Sequence, residues 1–156
     1  MSDSAVIKDK NGNVVLTIEG IPRIFRYSDR VIDEGIFEGL ILQGAIFDGC
    51  SLKRSVFRRC ELYWAIFLCA DLTGAQFINS DLRGASFVDA VCKDTSFINC
   101  DFGIDRLGRT GAKLMGANLT NALFQNCVMR GALYSDETVF PTGFAPNSHG
   151  LVLELH

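Results

Sequence analysis

The chain has 156 residues, with 15 lysines and arginines against 18 aspartates and glutamates and a formal charge of -3. That length fits one domain with its own core and leaves no room for a separate substrate domain. The weak net charge argues against both a basic nucleic-acid binder and a strongly acidic mimic of nucleic acid.

Residues 1–34 carry no repeat and are assigned to an N-terminal cap. Their start, Met1-Ser2-Asp3-Ser4, lacks the basic and apolar regions of a secretory signal, and no run approaches the ~18 apolar residues of a membrane span, so a cytoplasmic location is expected. Two apolar-rich runs, 5–10 and 13–18, flank Asn11-Gly12, which predicts a β-hairpin. Asp9-Lys10-Asn11-Gly12-Asn13 also imitates the start of a calcium loop. Val14 then stands in the glycine place and Gly20 in the glutamate place, so the hairpin is the better reading.

From residue 35 a different rule takes over. Phe37, Leu42, Phe47, Leu52, Phe57, Leu62, Phe67, Leu72, Phe77, Leu82, Phe87, Cys92, Phe97 and Phe102 recur at every fifth residue. Two positions before each centre from Phe47 onward stands only Ala, Cys, Ser or Thr. No helix or ordinary strand has this period. With two of five residues inward and three outward, each pentapeptide is a short extended segment plus a turn. Four segments close a roughly square coil, and coils stack at ~4.8 Å. Leu42, Leu62 and Leu82 then form one column, with Leu52 and Leu72 opposite. Phe47, Phe67, Phe87 and Phe57, Phe77, Phe97 form aromatic ladders on the other two sides. Cys50, Cys60, Cys100 and Cys127 fall at the small inward position and read as apolar fillers. There is no C-x-x-C pair, and the only histidines are His149 and His156. Neither a metal, a cofactor nor a structural disulfide is expected.

These segments resemble a known family. Ala70-Asp71-Leu72-Thr73-Gly74, Ser80-Asp81-Leu82-Arg83-Gly84, Cys100-Asp101-Phe102 and Ala117-Asn118-Leu119-Thr120-Asn121 are similar to the A-[DN]-L-x-x unit of pentapeptide-repeat proteins. The resemblance implies an all-β fold, a right-handed quadrilateral β-helix over residues 35–136. Gly or Asn at the last repeat position, as in Gly74, Asn79 and Gly84, suits the tight corners such a coil needs.

The register fails across residues 103–111 and resumes at Leu114, Leu119, Phe124, Met129 and Tyr134. A strict repeat would turn Asp105 inward, which is costly without a partner, so the segment is expected to be a loop projecting from the stack. Gly103-x-x-x-x-Gly108-Arg109-Thr110 has nearly the spacing of a phosphate-binding loop. Arginine replaces the lysine, and the next repeat begins where a helix is required. With Lys113, Arg106 and Arg109 make the loop locally basic and a candidate partner contact.

Residues 137–156 form the closing segment. Thr138-Val139-Phe140-Pro141-Thr142-Gly143-Phe144-Ala145-Pro146 resembles the F-P-x-G-F-x-P terminus of some family members, with Phe140 and Phe144 over the last coil and Pro141 stopping further pairing. The apolar tail from Gly150 to Leu155 reads either as a strand folded onto the body or as a homodimer contact.

No nucleophile has an adjacent base, and Asp71, Asp81 and Asp101 occupy a turn position, so the chain is not expected to be an enzyme. The outward positions that break the polar rule are more informative. Trp64, Ile66, Leu68, Ile46 and Val88 form one apolar patch, and Ile78 and Ile98 stack around the next corner. The patch is either a protein-binding surface or the seat of the N-terminal segment. Lys53, Arg54, Arg58 and Arg59 read as a solvated basic cluster. The leading expectation is a non-enzymatic scaffold binding a protein partner through its walls or the 103–111 loop. Family resemblance offers a second, interaction with DNA gyrase or a topoisomerase of the quinolone-protection type. Its acidic, duplex-like rod is not matched here. Weak nucleotide or anion binding at the loop is a third.

Overall fold

The computed structural model describes residues 5–18 and 25–155. Residues 1–4 and 19–24 of the expected N-terminal cap, and His156, lie outside them. β1 (Ala5–Lys8) and β2 (Val14–Ile18) form the hairpin anticipated at Asn11-Gly12. Asp9 ties its turn by accepting the amides of Asn11 (2.8 Å) and Asn13 (2.9 Å). β1 pairs antiparallel with β3 (Ile36–Glu38), and Ile7, Leu16 and Ile18 join the buried core at that end. The hairpin therefore extends the Phe37 wall.

From β3 the chain climbs in parallel steps through β4 (Val56–Arg58), β5 (Gln76–Ile78), β6 (Ser96–Ile98) and β7 (Leu123–Gln125). Single parallel bridges carry the same step on the other three walls: Ile41↔Glu61↔Asp81, Ile46↔Ile66↔Ser86 and Ser51↔Asp71↔Val91. The product is a four-walled β-helix whose walls are led by Phe37, Leu42, Phe47 and Leu52.

Aromatic ladders fill opposite walls, as the alternating centres predict. Phe37, Phe57, Phe77, Phe97 and Phe124 stack with successive centroids 4.4, 4.8, 5.1 and 5.1 Å apart. Tyr27, Phe47, Phe67 and Phe87 stack at 5.2, 5.1 and 5.1 Å. Rings of the two ladders meet edge to face, as Phe67 and Phe77 do at 5.8 Å and 87°, a geometry that aromatic quadrupoles favour.

The small inward position has a physical cause. Cys50, Ser55 and Thr95 donate to the carbonyls of Tyr27, Ile32 and Leu72 in the coil before, each at 2.8 Å. A side chain here leans against the preceding layer, so bulk is excluded and a buried hydroxyl is satisfied. The outward Asp or Asn beside each centre has a turn role. Asp71, Asp81 and Asn118 accept the amides of Thr73 (3.0 Å), Arg83 (3.1 Å) and Thr120 (3.1 Å).

The coil begins before residue 35. Arg26↔Ile46 and Val31↔Ser51 place Tyr27 and Ile32 as inward centres, so residues 25–34 already run as solenoid. Phe25 and Arg30 occupy the position that later coils keep small, which hides this coil from a reading based on small residues.

At the far end Phe144 covers the last ring of the Phe37 ladder, 5.3 Å from Phe124, and stacks on Phe140 at 5.0 Å. A 3-10 turn, Asn147–His149, follows. β8 (Leu133–Tyr134) then pairs in parallel with β9 (Val152–Leu153), so the tail is a strand adding one more layer to the Phe47 wall. Among the described residues no helix is long and apolar enough to cross a membrane.

Candidate functional site

The largest break in the solenoid's twenty-residue step falls at one corner. Gln76 pairs with Ser96, but Ser96 pairs with Leu123 and Ser86 with Lys113, so seven residues are inserted between the Leu42 and Phe47 walls. In earlier coils this corner is made by Gly44, Trp64 and Gly84, whose left-handed φ values are 67°, 57° and 69°.

The insertion is a surface loop, as expected, with Ile104 and residues 106–109 exposed, but it does not stand free of the solenoid. It folds around Asp105, which is 4% exposed. The Asp105 carboxylate accepts the amides of Leu107 (3.0 Å) and Arg109 (2.8 Å), and its carbonyl accepts that of Gly108 (2.9 Å). The Arg109 Nε lies 3.5 Å from its other oxygen. The Arg109 amide first, with the Leu107 amide and the Arg109 charge, holds this carboxyl below its ordinary 3.8. The Gly103 amide donates to Asp101 at 2.8 Å. The amides of Leu107, Gly108 and Arg109 are thus already engaged, with a carboxylate of the chain itself in the anion's place.

So organised, the loop lies back on the solenoid. The Arg109 guanidinium carbon sits 4.4 Å from the Trp64 ring centroid, and that of Arg106 sits 6.0 Å from the Tyr63 ring. Tyr63 and Trp64 stack within 5° of parallel at 5.6 Å. The indole lies across Gly84, where any Cβ would collide with it. Gly84 therefore supplies both the corner's φ and the space that lets Trp64 reach toward the layer from which Arg109 descends.

Beside this contact is a groove of about 350 Å³. Ile66, Gly84 and Ser86 line it together with Trp64, Arg109 and Lys113. Lys113 has no ion-pair partner among the described residues. The groove combines an aromatic edge, an aliphatic floor, the hydroxyls of Ser86 and Thr110, and two cations.

The residues singled out from sequence fall into three groups. Trp64, Ile66 and Arg109 meet in the groove, with Ile46 bridged to Ile66 just below. Leu68 and Val88 stand in register on the far side of the Phe47 wall, joined by Met115, and do not line the groove. Arg106 lies over Tyr63, next to Asp81 and Glu61. The N-terminal hairpin lies on the Phe37 wall and leaves Trp64 37% and Leu68 38% exposed. Tyr63, Ser86 and Gly84 were missed, although the twenty-residue step alone places Gly84 directly after Trp64. The basic cluster is not merely solvated. Lys53 pairs with Asp71 (3.3 Å), Arg54 with Glu34 (2.9 Å), Arg58 with Glu38 (3.9 Å) and Arg59 with Glu38.

Comparison with known proteins bears on the scaffold. Among solved structures the chain is similar to a pentapeptide repeat protein from Nostoc PCC 7120, at 25% identity over 73% of this chain and 76% of that one, with a TM-score of 0.33. It is similar to one from the Arabidopsis thaliana thylakoid lumen, at 29% identity over 63% and 67%, with a TM-score of 0.22. It is also similar to trypsin-treated QnrB1, a plasmid-mediated fluoroquinolone resistance protein, at 19% identity over 86% of each chain, with a TM-score of 0.25. No curated protein sequence matches it. The family model for pentapeptide repeats matches eight copies at residues 37–67, 65–103 and 110–133, skipping most of the insertion around Asp105. With more than half of its length matched and a register that obeys the repeat on all four walls, the chain belongs to the pentapeptide-repeat family.

Proposed function

We propose that this chain is a non-enzymatic scaffold that binds a protein partner on its Phe47 wall, with Trp64 and the Arg109 loop at the centre of the contact. The observation that carries this reading is the cation–π seat of Arg109 on Trp64, which presents a positioned aromatic and a positioned cation beside an open groove. Tryptophan and arginine are the residues that most often anchor protein interfaces. The unpaired Lys113 at the same groove calls for a carboxylate on the partner next to an apolar side chain. Several charges elsewhere on the walls are held in pairs, within a coil as in Arg83 with Asp81 or between neighbouring coils as in Arg83 with Asp101. Nothing in that pairing favours the acidic rod of a gyrase-directed protein, and the engaged amides around Asp105 do not favour a nucleotide site.

Affinity capture with three forms of the protein tests the proposal: the intact chain, Trp64→Ala, and a deletion of residues 104–110. The deletion removes the seven inserted residues and restores the twenty-residue step, so the solenoid is kept while the Arg109 seat is lost. The partner should be retained by the intact chain and lost by both variants. Equal capture by all three, with folding intact, overturns the reading.

A further inference from the structure

We propose that Cys127 and Cys100 form a peroxide-reactive dithiol, with Cys127 the thiol that is oxidised and Cys100 the one that resolves it into a disulfide. All six cysteines are free in the structure. The other four have no cysteine neighbour in register: Cys50 is followed in its column by Ala70 and Ala90, Cys60 is separated from Cys100 by Ser80, Cys92 is a core centre, and Cys69 faces outward at a corner. Cys100 and Cys127 alone occupy the same inward position on consecutive layers. The bridge Asp101↔Val128 and the Val128 amide donating to the Cys100 carbonyl at 3.0 Å fix that register. Parallel backbones stand ~4.8 Å apart, inside the Cα separation a disulfide requires.

The Cys127 thiol also points the right way. Both thiols lean back on the layer before their own, Cys100 donating to the Phe77 carbonyl and Cys127 to that of Phe97, both at 3.3 Å. The Cys127 sulfur therefore reaches down onto the layer that holds Cys100. Their surroundings divide the roles. Cys100 is 2% exposed, while Cys127 is half-buried on the last layer, at the corner between the Phe37 and Leu42 walls. The neighbouring Cys100 thiol draws the Cys127 thiol below its ordinary range, while the same neighbour and burial push Cys100 up. An accessible thiolate beside a protonated, buried thiol is the arrangement that peroxide oxidation followed by resolution needs.

The chemistry balances with hydrogen peroxide as the oxidant. The Cys127 thiolate attacks one peroxide oxygen, the O–O bond breaks, and hydroxide leaves and takes a proton as water. This gives a sulfenic acid on Cys127. The Cys100 sulfur then attacks the Cys127 sulfur as its own proton is lost, the S–O bond breaks, and a second water departs. Two thiols give up two electrons, and one peroxide becomes two waters. The disulfide closes a chain segment that contains the whole insertion with Arg106 and Arg109, and it staples the last full layer of the Phe37 wall to the body.

The test is a peptide map of the intact protein after treatment with stoichiometric hydrogen peroxide, read without reduction. The expected result is a linked pair of peptides containing Cys100 and Cys127, reversed by dithiothreitol. Iodoacetamide should label Cys127 at least ~tenfold faster than Cys50, Cys60, Cys92 or Cys100 at neutral pH. In Cys100→Ser, dimedone should trap a stable sulfenic acid on Cys127. A map in which Cys69 is oxidised while Cys100 and Cys127 stay reduced, or remain unlinked, overturns the proposal. Because that map uses the unaltered chain, the result does not depend on any variant folding.

Discussion

The Arg109 guanidinium lies 4.4 Å from the Trp64 ring centroid, and Asp105 holds it there through both the Arg109 amide and its side chain. Trp64 is the only tryptophan, so intrinsic fluorescence reports on this contact. Arg109→Ala uncovers one face of the indole. Acrylamide quenching should rise and the emission shift to longer wavelength. A partly exposed cation–π contact is worth about 0.5–1 kcal/mol, so the melting temperature should fall by no more than about 4 °C. Unchanged quenching would show that the loop does not rest on Trp64 in solution.

Asp105 makes the same contact sensitive to acid. Its folded pKa is depressed below 3.8 by the amides and charge of Arg109, so its contribution is fully present above 3.8 and is lost as pH falls through the lower folded value. Fluorescence of the folded protein should therefore show an acid step below 3.8 as the loop releases Trp64. Asp105→Asn keeps the shape without the charge. It should lack that step and resemble the acid form at neutral pH. A step of equal size in both proteins would assign it to other carboxylates.

How much of this was legible in sequence follows from the range of each interaction. The ladders were readable because a five-residue period dictates which rings stack, and Phe57 on Phe77 needs no further information. The coil step also contained the pairing of Arg54 with Glu34, one coil apart, and the emptiness over Gly84 next to Trp64. The path of the insertion was not readable. It depends on one carboxylate turning into its own loop rather than into the core, and no periodic rule assigns Asp105 that direction. Tyr27 and Ile32 were hidden for a different reason. Side chains at the small position lean on the preceding layer, and Phe25 and Arg30, in the first coil, escape the size limit by which later coils are recognised.

Phe77 is the strongest test of the ladders. It is fully buried, stacks on Phe57 at 4.8 Å and Phe97 at 5.1 Å, and meets Phe67 and Phe87 edge-on at 5.8 Å each. Phe77→Ala leaves a cavity that the neighbouring coils cannot close without breaking their hydrogen bonds. The expected loss is about 3–5 kcal/mol in denaturant unfolding. Phe124→Ala, at a half-buried ring near the end of the same ladder, should cost clearly less. Equal losses would mean that the ladder's interior is looser than its stacking implies.

Gly44 and Gly84 separate backbone strain from the seating of Trp64. Both hold a left-handed φ, 67° and 69°, so an alanine at either meets the same backbone penalty, on the order of 1 kcal/mol. Around Gly44 a new Cβ meets nothing within 4 Å, whereas at Gly84 it would strike the indole of Trp64. Gly84→Ala should therefore destabilise more than Gly44→Ala, and it alone should change Trp64 quenching, because the ring must leave its place under Arg109. In Trp64→Ala the obstacle is gone. Adding Gly84→Ala to that background should cost only what Gly44→Ala costs, a difference that a double-mutant cycle reads as coupling between residues 64 and 84. If Gly44→Ala and Gly84→Ala lower stability equally and leave the fluorescence alone, the indole does not lie across Gly84, and the contact with Arg109 loses its geometric basis.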